Sequence, residues 1–204
     1  MTKRNAMAAL AAAFLLVATA RPVQAAPFFE ISNAPGGGGP QALFLSDALW
    51  RAVRVNYSGT TELLAAGAFG VRLEETLADG TPLGLPVQDL PAFCFEISQV
   101  IALPAPYESK PLADAMPAAR ASAVARLWGH RQSVVIDAAN PQYDGVAGAA
   151  PRDRIAAFQV AIWEIVIDGS DGFSAGAFRL VSPDAPLLGL AMRYLAMAAD
   201  TSLP

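Results

Sequence analysis

Apolar and polar residues alternate in several stretches between about residue 45 and residue 100. Val53, Val55 and Tyr57 share one phase of this alternation, and Val71 and Leu73 share one in a later stretch. Successive side chains of a β-strand point to opposite faces, so this period is typical of strands with one buried face. Pro and Gly residues lie between the stretches and indicate turns. The pattern predicts strands at 49–57, 68–77 and 93–100.

The spacing of apolar residues changes to three and four after about residue 115. The helical sets are Val124, Leu127 and Trp128, then Ile155, Phe158, Ile162 and Val166, then Leu188, Met192 and Leu195. This spacing predicts helices at 118–129, from 151 to about 168, and at 185–199. Strands followed by helices are typical of an α+β domain. We therefore predict a β-rich lobe at about 45–100, followed by a helical lobe at about 115–199.

The start of the chain has the three-part layout of a secretory signal peptide. Two basic residues come first, residues 8–20 are apolar, and small residues occupy the positions that a signal peptidase recognises before Ala25. Cleavage there would leave a flexible Gly/Pro-rich segment at 26–44 and one domain at 45–204. The apolar stretch is shorter than the roughly 20 residues that span a bilayer. We therefore expect an exported protein with no membrane span after cleavage.

Charge and cysteine content narrow the function classes. The chain has 14 Lys and Arg residues against 18 Asp and Glu, and loss of Lys3, Arg4 and Arg21 with the leader takes the net charge from −4 to −7. An acidic chain without a basic run is a poor partner for nucleic acid or anionic lipid. Cys94 is the single cysteine, so no disulfide can form within the chain.

Two residues stand out against their apolar surroundings, namely Cys94 and Gln159. Cys94 lies between Phe93 and Phe95, and on an alternating strand it would point away from both rings. Gln159 is four residues before Trp163, beside the apolar stripe of its predicted helix. Burying an amide without partners costs about 1–3 kcal/mol. A purely structural explanation exists for each residue. Cys94 would be a buried cysteine that acts as a small apolar residue, and Gln159 would be a core glutamine satisfied by backbone groups.

A covalent bond between the side chains of Cys94 and Gln159 offers another explanation for the two unusual positions. A cysteine thiol and a glutamine carboxamide can condense, with loss of ammonia, to an internal thioester. The product is an acyl group on a thiolate leaving group, which an amine can attack, as in the acyl intermediates of nucleophilic catalysis. The protein itself would then be the acyl donor.

The residues around both positions resemble a known family. Phe93-Cys94-Phe95 is similar to the cysteine motif of bacterial surface thioester domains, in which an aromatic residue or Leu precedes Cys and a hydrophobic residue follows it. The run from Phe158 to Trp163 is similar to their glutamine motif of hydrophobic residue, Gln, two residues, hydrophobic residue and aromatic residue. The motifs occur in the family's order, and the resemblance covers about residues 45–199.

The resemblance implies a thioester domain with a crosslink between Cys94 and Gln159. Members of the family in Gram-positive bacteria are adhesins that bond covalently to amines on host surfaces. The expected partner is thus an amine-bearing extracellular protein or surface ligand, and the expected location is secreted or on the cell surface. The chain end has no LPxTG-like motif and no Pro-Glu-Pro sorting signal, so no C-terminal anchor is recognisable. The side chains expected to shield the bond from water are those of Phe93, Phe95, Phe158, Ile162 and Trp163.

Two other functions are compatible with the sequence. One is a non-covalent extracellular binding or matrix module with a buried free cysteine. The other is a hydrolase that pairs Cys94 with His130, the single histidine, although no nucleophile signature surrounds the cysteine. Scattered acids with one Cys and one His provide no metal-ligand spacing. We therefore predict a protein that is not an enzyme and uses neither a metal nor a cofactor.

Overall fold

The fold is mixed α+β, with strands in the first part and helices later, as the apolar pattern predicts. The computed structural model describes residues 28–33, 50–76, 81–97, 105–108, 110–130 and 149–201. The strands of this part are β1 Phe28–Asn33, β2 Trp50–Tyr57, β3 Thr60–Gly67, β4 Phe69–Thr76, β5 Gln88–Ala92, β6 Ala105–Glu108 and β7 Phe178–Leu180. The helices are α1 Leu112–Ala115, α2 Ala118–Gly129, α3 Pro151–Ile167 and α4 Ala185–Ala199.

The described strands form two antiparallel sheets. Sheet A has the order β5-β4-β1-β6, and sheet B has the order β3-β2-β7. Strands β2 and β3 are joined by a two-residue turn, in which Ser58 and Gly59 have φ angles of 49° and 91°. Positive φ at both turn positions matches the right-handed twist of the two strands and suits glycine at the second position. In sheet B, β7 comes from the helical part of the chain and pairs Leu180 with Val55.

The three long helices are confirmed close to their predicted bounds, as are the strands predicted at 49–57 and 68–77. Strand β3 has no sustained alternation, and β7 has three residues, so the pattern predicts neither. Strand β1 lies inside the segment at 26–44, where the sequence predicts no strand, and the rest of that segment lies outside the described residues. Strand β1 pairs with β4 over its whole length. The predicted signal peptide at 1–25 lies outside the described residues.

The prediction of a strand at 93–100 is wrong for residues 93–97, and residues 98–100 lie outside the described part of the chain. Strand β5 ends at Ala92, and residues 93–97 continue without strand structure. The alternation is nevertheless real, because Phe93 and Phe95 are buried whereas Cys94 is half-buried. The backbone N–H and C=O of Cys94 bond to the side chain of Gln159 instead of a neighbouring strand. Burial on one side therefore produces the pattern here without a strand ladder.

Helix α3 is the centre of the hydrophobic core. All its residues from Arg154 to Ile165 are buried. A helix that is buried on every side must be surrounded by other elements, and α3 packs against α2, α4 and the three strands of sheet B. The core cluster also includes Phe93 and Phe95, which follow β5. Across the described residues, the structure contains no helix with the length and apolarity that a membrane span requires.

The orientation of α3 is also supported by ionic contacts at its first turn. Arg51 on β2 donates to Asp153 at 2.7 Å and to Asp184, which precedes α4, at 2.5 Å. The hydrogen bond from Arg51 lowers the pKa of the Asp184 carboxyl. Asp184 also accepts a hydrogen bond from the backbone N–H of Leu187 at 2.9 Å, as N-cap residues do. Arg51 thus joins sheet B to the N-terminal ends of two helices.

Candidate functional site

The carboxamide of Gln159 lies against the backbone of Cys94. The N–H of Cys94 donates to Gln159 Oε1 at 3.0 Å, and Gln159 Nε2 donates to the carbonyl oxygen of Cys94 at 2.6 Å. The two residues are 65 positions apart in the chain, and Gln159 is fully buried. The structure therefore brings together the two residues that the sequence singles out. The same bonds also satisfy the buried amide, as expected for a core glutamine held by backbone groups.

The position of Gln159 follows from its place on α3. It occupies the middle of a helix that is buried on every side, so its polar side chain must find its partners within the protein. The chain just beyond the end of β5 supplies them, because Cys94 has backbone groups that no strand neighbour uses. A central helix and a strand end thus meet at this pair.

The thiol of Cys94 is protonated and only partly accessible. Sγ donates to the backbone carbonyl of Glu96 at 2.9 Å. Burial, together with the negative charge of Glu96, raises the pKa of the Cys94 thiol to about 11 against the opposing effect of the hydrogen bond. A nucleophilic cysteine enzyme needs a lowered thiol pKa, which a neighbouring positive charge or His⁺ supplies. The hydrogen bonds of Cys94 run to Gln159 and Glu96 and not to His130, so this geometry does not support the Cys–His hydrolase.

Aromatic rings of the neighbouring residues pack against one another next to Cys94 and Gln159. Phe93 precedes Cys94 and Phe158 precedes Gln159, and their ring centroids are 5.0 Å apart. Phe93 also packs edge-on against Trp128, with centroids 6.0 Å apart, and Phe158 packs against Tyr194 at 5.6 Å. The residues directly before Cys94 and Gln159 therefore hold the two chain segments together through tilted and edge-to-face ring contacts.

The five side chains expected to shield the site are all buried, with exposed fractions of at most 4%. They do not all point in the same direction. Trp163 packs against Phe178 of β7, with centroids 6.2 Å apart, and so contributes to the contact between α3 and sheet B. Trp128 and Tyr194 lie in the same aromatic cluster as Phe93 and Phe158. Trp128 has the helical spacing of a core residue, and no local signal in the sequence relates either residue to Cys94.

A buried carboxyl on the same helix has no counterpart in the sequence predictions. Glu164 is fully buried, and its Oε1 accepts a hydrogen bond from the backbone N–H of Gly172 at 2.8 Å. Its Oε2 is buried without a hydrogen-bond partner. Burial, with the nearby charges of Asp168 and Asp171, raises the pKa of Glu164 to about 7. A Glu inside the apolar run of α3 was the sequence signal that could have identified it.

The acidic turn after α3 has a structural role. Asp168 accepts hydrogen bonds from the backbone N–H groups of Ala177 and Phe178, at 3.1 and 2.7 Å. Its carboxylate also fills the space beside Gly176, where φ is +88° and a Cβ atom would lie 2.3 Å from Asp168 Oδ2. Within the described residues, no group of three or more His, Cys, Asp or Glu side chains could hold a metal ion. The carboxylate therefore caps backbone groups of the turn.

Comparison with protein-family models, with curated proteins and with solved structures finds no match.

Proposed function

We propose that Cys94 and Gln159 form an internal thioester through which the protein attaches covalently to amines outside the cell. The observation that carries the proposal is the pair of hydrogen bonds between the Gln159 carboxamide and the Cys94 backbone. A reaction between two side chains requires that their reacting atoms be held together, and such positioning supplies a large part of the rate of intramolecular reactions. The hydrogen bonds hold the Gln159 carboxamide against the backbone of Cys94, the residue that carries the thiol.

The bond would form by condensation and without any redox step. Sγ of Cys94 bonds to Cδ of Gln159, the Cδ–Nε2 bond breaks, and the nitrogen leaves as ammonia with the thiol proton. A partner amine then opens the thioester by the reverse reaction, with its own nitrogen in place of the ammonia that was lost. Its nitrogen bonds to Cδ, the Cδ–Sγ bond breaks, and Cys94 recovers its thiol. The product is an amide that links Gln159 to the partner, with the protein as acyl donor.

The surroundings of the pair support a bond that persists until an amine arrives. Gln159 is fully buried, and Phe93 and Phe158 pack beside the reacting residues. Exclusion of water prevents the side reactions of an activated acyl group. Cys94 itself is half-buried, so it is the more accessible residue of the pair. An exported adhesin of the bacterial cell surface is the role that accords with the motifs and with the predicted leader.

Intact mass is the direct test. We expect the mature protein to be lighter than its sequence by about 17 Da, the mass of one ammonia lost in condensation. Cys94→Ala and Gln159→Ala should each restore the uncondensed mass, apart from the substitution. Incubation with methylamine should give an adduct in the unmodified protein and in neither variant. A full-mass protein whose native thiol is free to alkylation would refute the thioester.

The second candidate is a non-covalent extracellular binding module. The observation that favours it is that Oε1 and Nε2 of Gln159 each have a hydrogen-bond partner in the backbone of Cys94, so no covalent bond is needed to explain the buried amide. In that case the mass is unchanged, and Gln159→Ala leaves buried backbone groups of Cys94 without partners. The cost expected from those groups is about 1–3 kcal/mol of stability.

A further inference from the structure

The outer face of sheet B carries a row of polar side chains that crosses its three strands. Arg179 on β7, Asn56 on β2 and Thr61 on β3 lie directly opposite one another in the register. Arg179 Nη2 donates to Asn56 Oδ1 at 2.8 Å, and Asn56 Nδ2 donates to Thr61 Oγ1 at 3.1 Å. Val55 and Leu180, which alternate with this row, are buried in the core, so the row lies on the side of the sheet away from α3.

The polar groups that remain available on this face are mainly hydrogen-bond donors. Thr61 accepts from Asn56 and so keeps its hydroxyl hydrogen, and Arg179 uses one of its five N–H groups. Arg54 is exposed on the same face as a diagonal neighbour of Arg179, at a distance of about 7–8 Å. Among the described residues, neither arginine has an acidic partner. A donor-rich face of this kind suits a ligand with anionic oxygens.

Two adjoining cavities make the outer face concave. The first, of about 400 Å³, is lined by the row and by Ser174 and Ser182. The second, of about 370 Å³, is lined by Arg54 and shares residues 180–182 with the first. Small-molecule sites have volumes of about 300–1,000 Å³. The two cavities together therefore form a continuous groove with one arginine in each part.

The lining of the first cavity favours a sugar acid over a nucleotide or a peptide. Phe173, its aromatic residue, is 5% exposed and offers no ring face on which a base could stack. Leu180 is 9% exposed, so the floor has no apolar pocket for the anchoring side chain of a peptide. The groups that remain are a guanidinium, which binds carboxylates in a bidentate manner, and amide and hydroxyl groups, which suit sugar hydroxyls.

We infer that this face of sheet B binds an acidic oligosaccharide, with one carboxylate on Arg179 and another on Arg54. The hydrogen bond to Asn56 holds the Arg179 guanidinium in position before the ligand arrives. Two arginines in adjoining cavities suit a ligand with acid groups along a chain. The binding site is separate from the proposed thioester and does not depend on it. A non-covalent hold on a surface polymer would raise the local concentration of amines on that surface.

The test measures binding of oligogalacturonate and of alginate oligomers to the full-length protein by titration calorimetry. We expect wild type to bind at least one of them, and Arg179→Gln and Arg54→Gln each to lower the affinity about 10–100-fold, because each removes charge-assisted hydrogen bonds. Arg179→Lys keeps the charge without the planar fork and should lie between wild type and Arg179→Gln. Arg193→Gln, which removes an equal charge from an exposed site on α4, should bind as wild type does.

Two further probes define the ligand class. A neutral galactan oligomer should not bind, and polyglutamate, which has carboxylates but no sugar hydroxyls, should bind much more weakly. The inference is overturned if wild type binds neither acidic oligosaccharide, or if polyglutamate binds as tightly, because the face would then recognise charge or an acidic peptide. An equal loss of affinity in Arg193→Gln and Arg179→Gln overturns it too. These probes carry no amine, so a protein without the thioester should give the same binding results.

Discussion

Phe158→Ala should be the most damaging single truncation near the candidate site. Phe158 is fully buried on α3, and its ring packs against those of Phe93 and Tyr194. Removing a buried phenyl ring costs about 3–5 kcal/mol through lost burial and the cavity that remains. Because Phe93 adjoins Cys94, the cavity would also open beside the Cys94–Gln159 pair. We expect a large loss of stability in urea and faster hydrolysis of the proposed thioester, followed as a gain of one water in mass.

A matched truncation separates the two effects. Phe173→Ala removes an equal ring from another buried site, where Phe173 packs against Phe178 with centroids 6.3 Å apart. It should lose stability without accelerating hydrolysis. Equal hydrolysis rates in the two variants would show that Phe158 does not shield the bond. If Phe158→Ala does not fold, Phe158→Leu retains much of the volume and should show both effects in smaller size.

Glu164→Gln should remove most of the decline in stability between about pH 4.5 and pH 7. The pKa of Glu164 is raised from 4.5 to about 7 in the folded protein, so over this range the folded state keeps a proton that the unfolded state has lost. Stability must then fall as the pH rises and level off above about 7. Glutamine cannot ionise and can still accept the Gly172 N–H bond. At pH 8 the variant should be more stable than wild type by on the order of 2 kcal/mol.

The measurement is urea unfolding at a series of pH values. Below pH 4 the two proteins should have nearly equal stability, because Glu164 is protonated in both the folded and the unfolded state. Glu62→Gln, at an exposed site, should leave the pH profile as it is in wild type. A Glu164→Gln protein that retains the wild-type decline between pH 4.5 and pH 7 would assign the decline to other carboxyls, with Asp168 and Asp171 the nearest.

The sequence by itself determined the α+β class and the three long helices. Helical spacing persists for many residues in each, and Gly129, Pro151 and the Asp168-Gly169 pair mark their ends. It also determined which two residues are out of place, because a lone cysteine and a glutamine on an apolar stripe are visible as local exceptions. Pairing of short strands depends on distant partners, which local patterns do not report. The place of β7 beside β2 was accordingly not predicted.

Only the tertiary structure decided that Cys94 and Gln159 meet. Residues 65 positions apart become neighbours through the packing of α3 into the core, and the proximity depends on every element that positions that helix. The structure also decided that the Cys94 segment is not a strand, because the Gln159 side chain takes the backbone bonds that a ladder would use. The raised pKa values of Cys94 and Glu164 likewise depend on burial, which long-range packing creates and which no local stretch of sequence encodes.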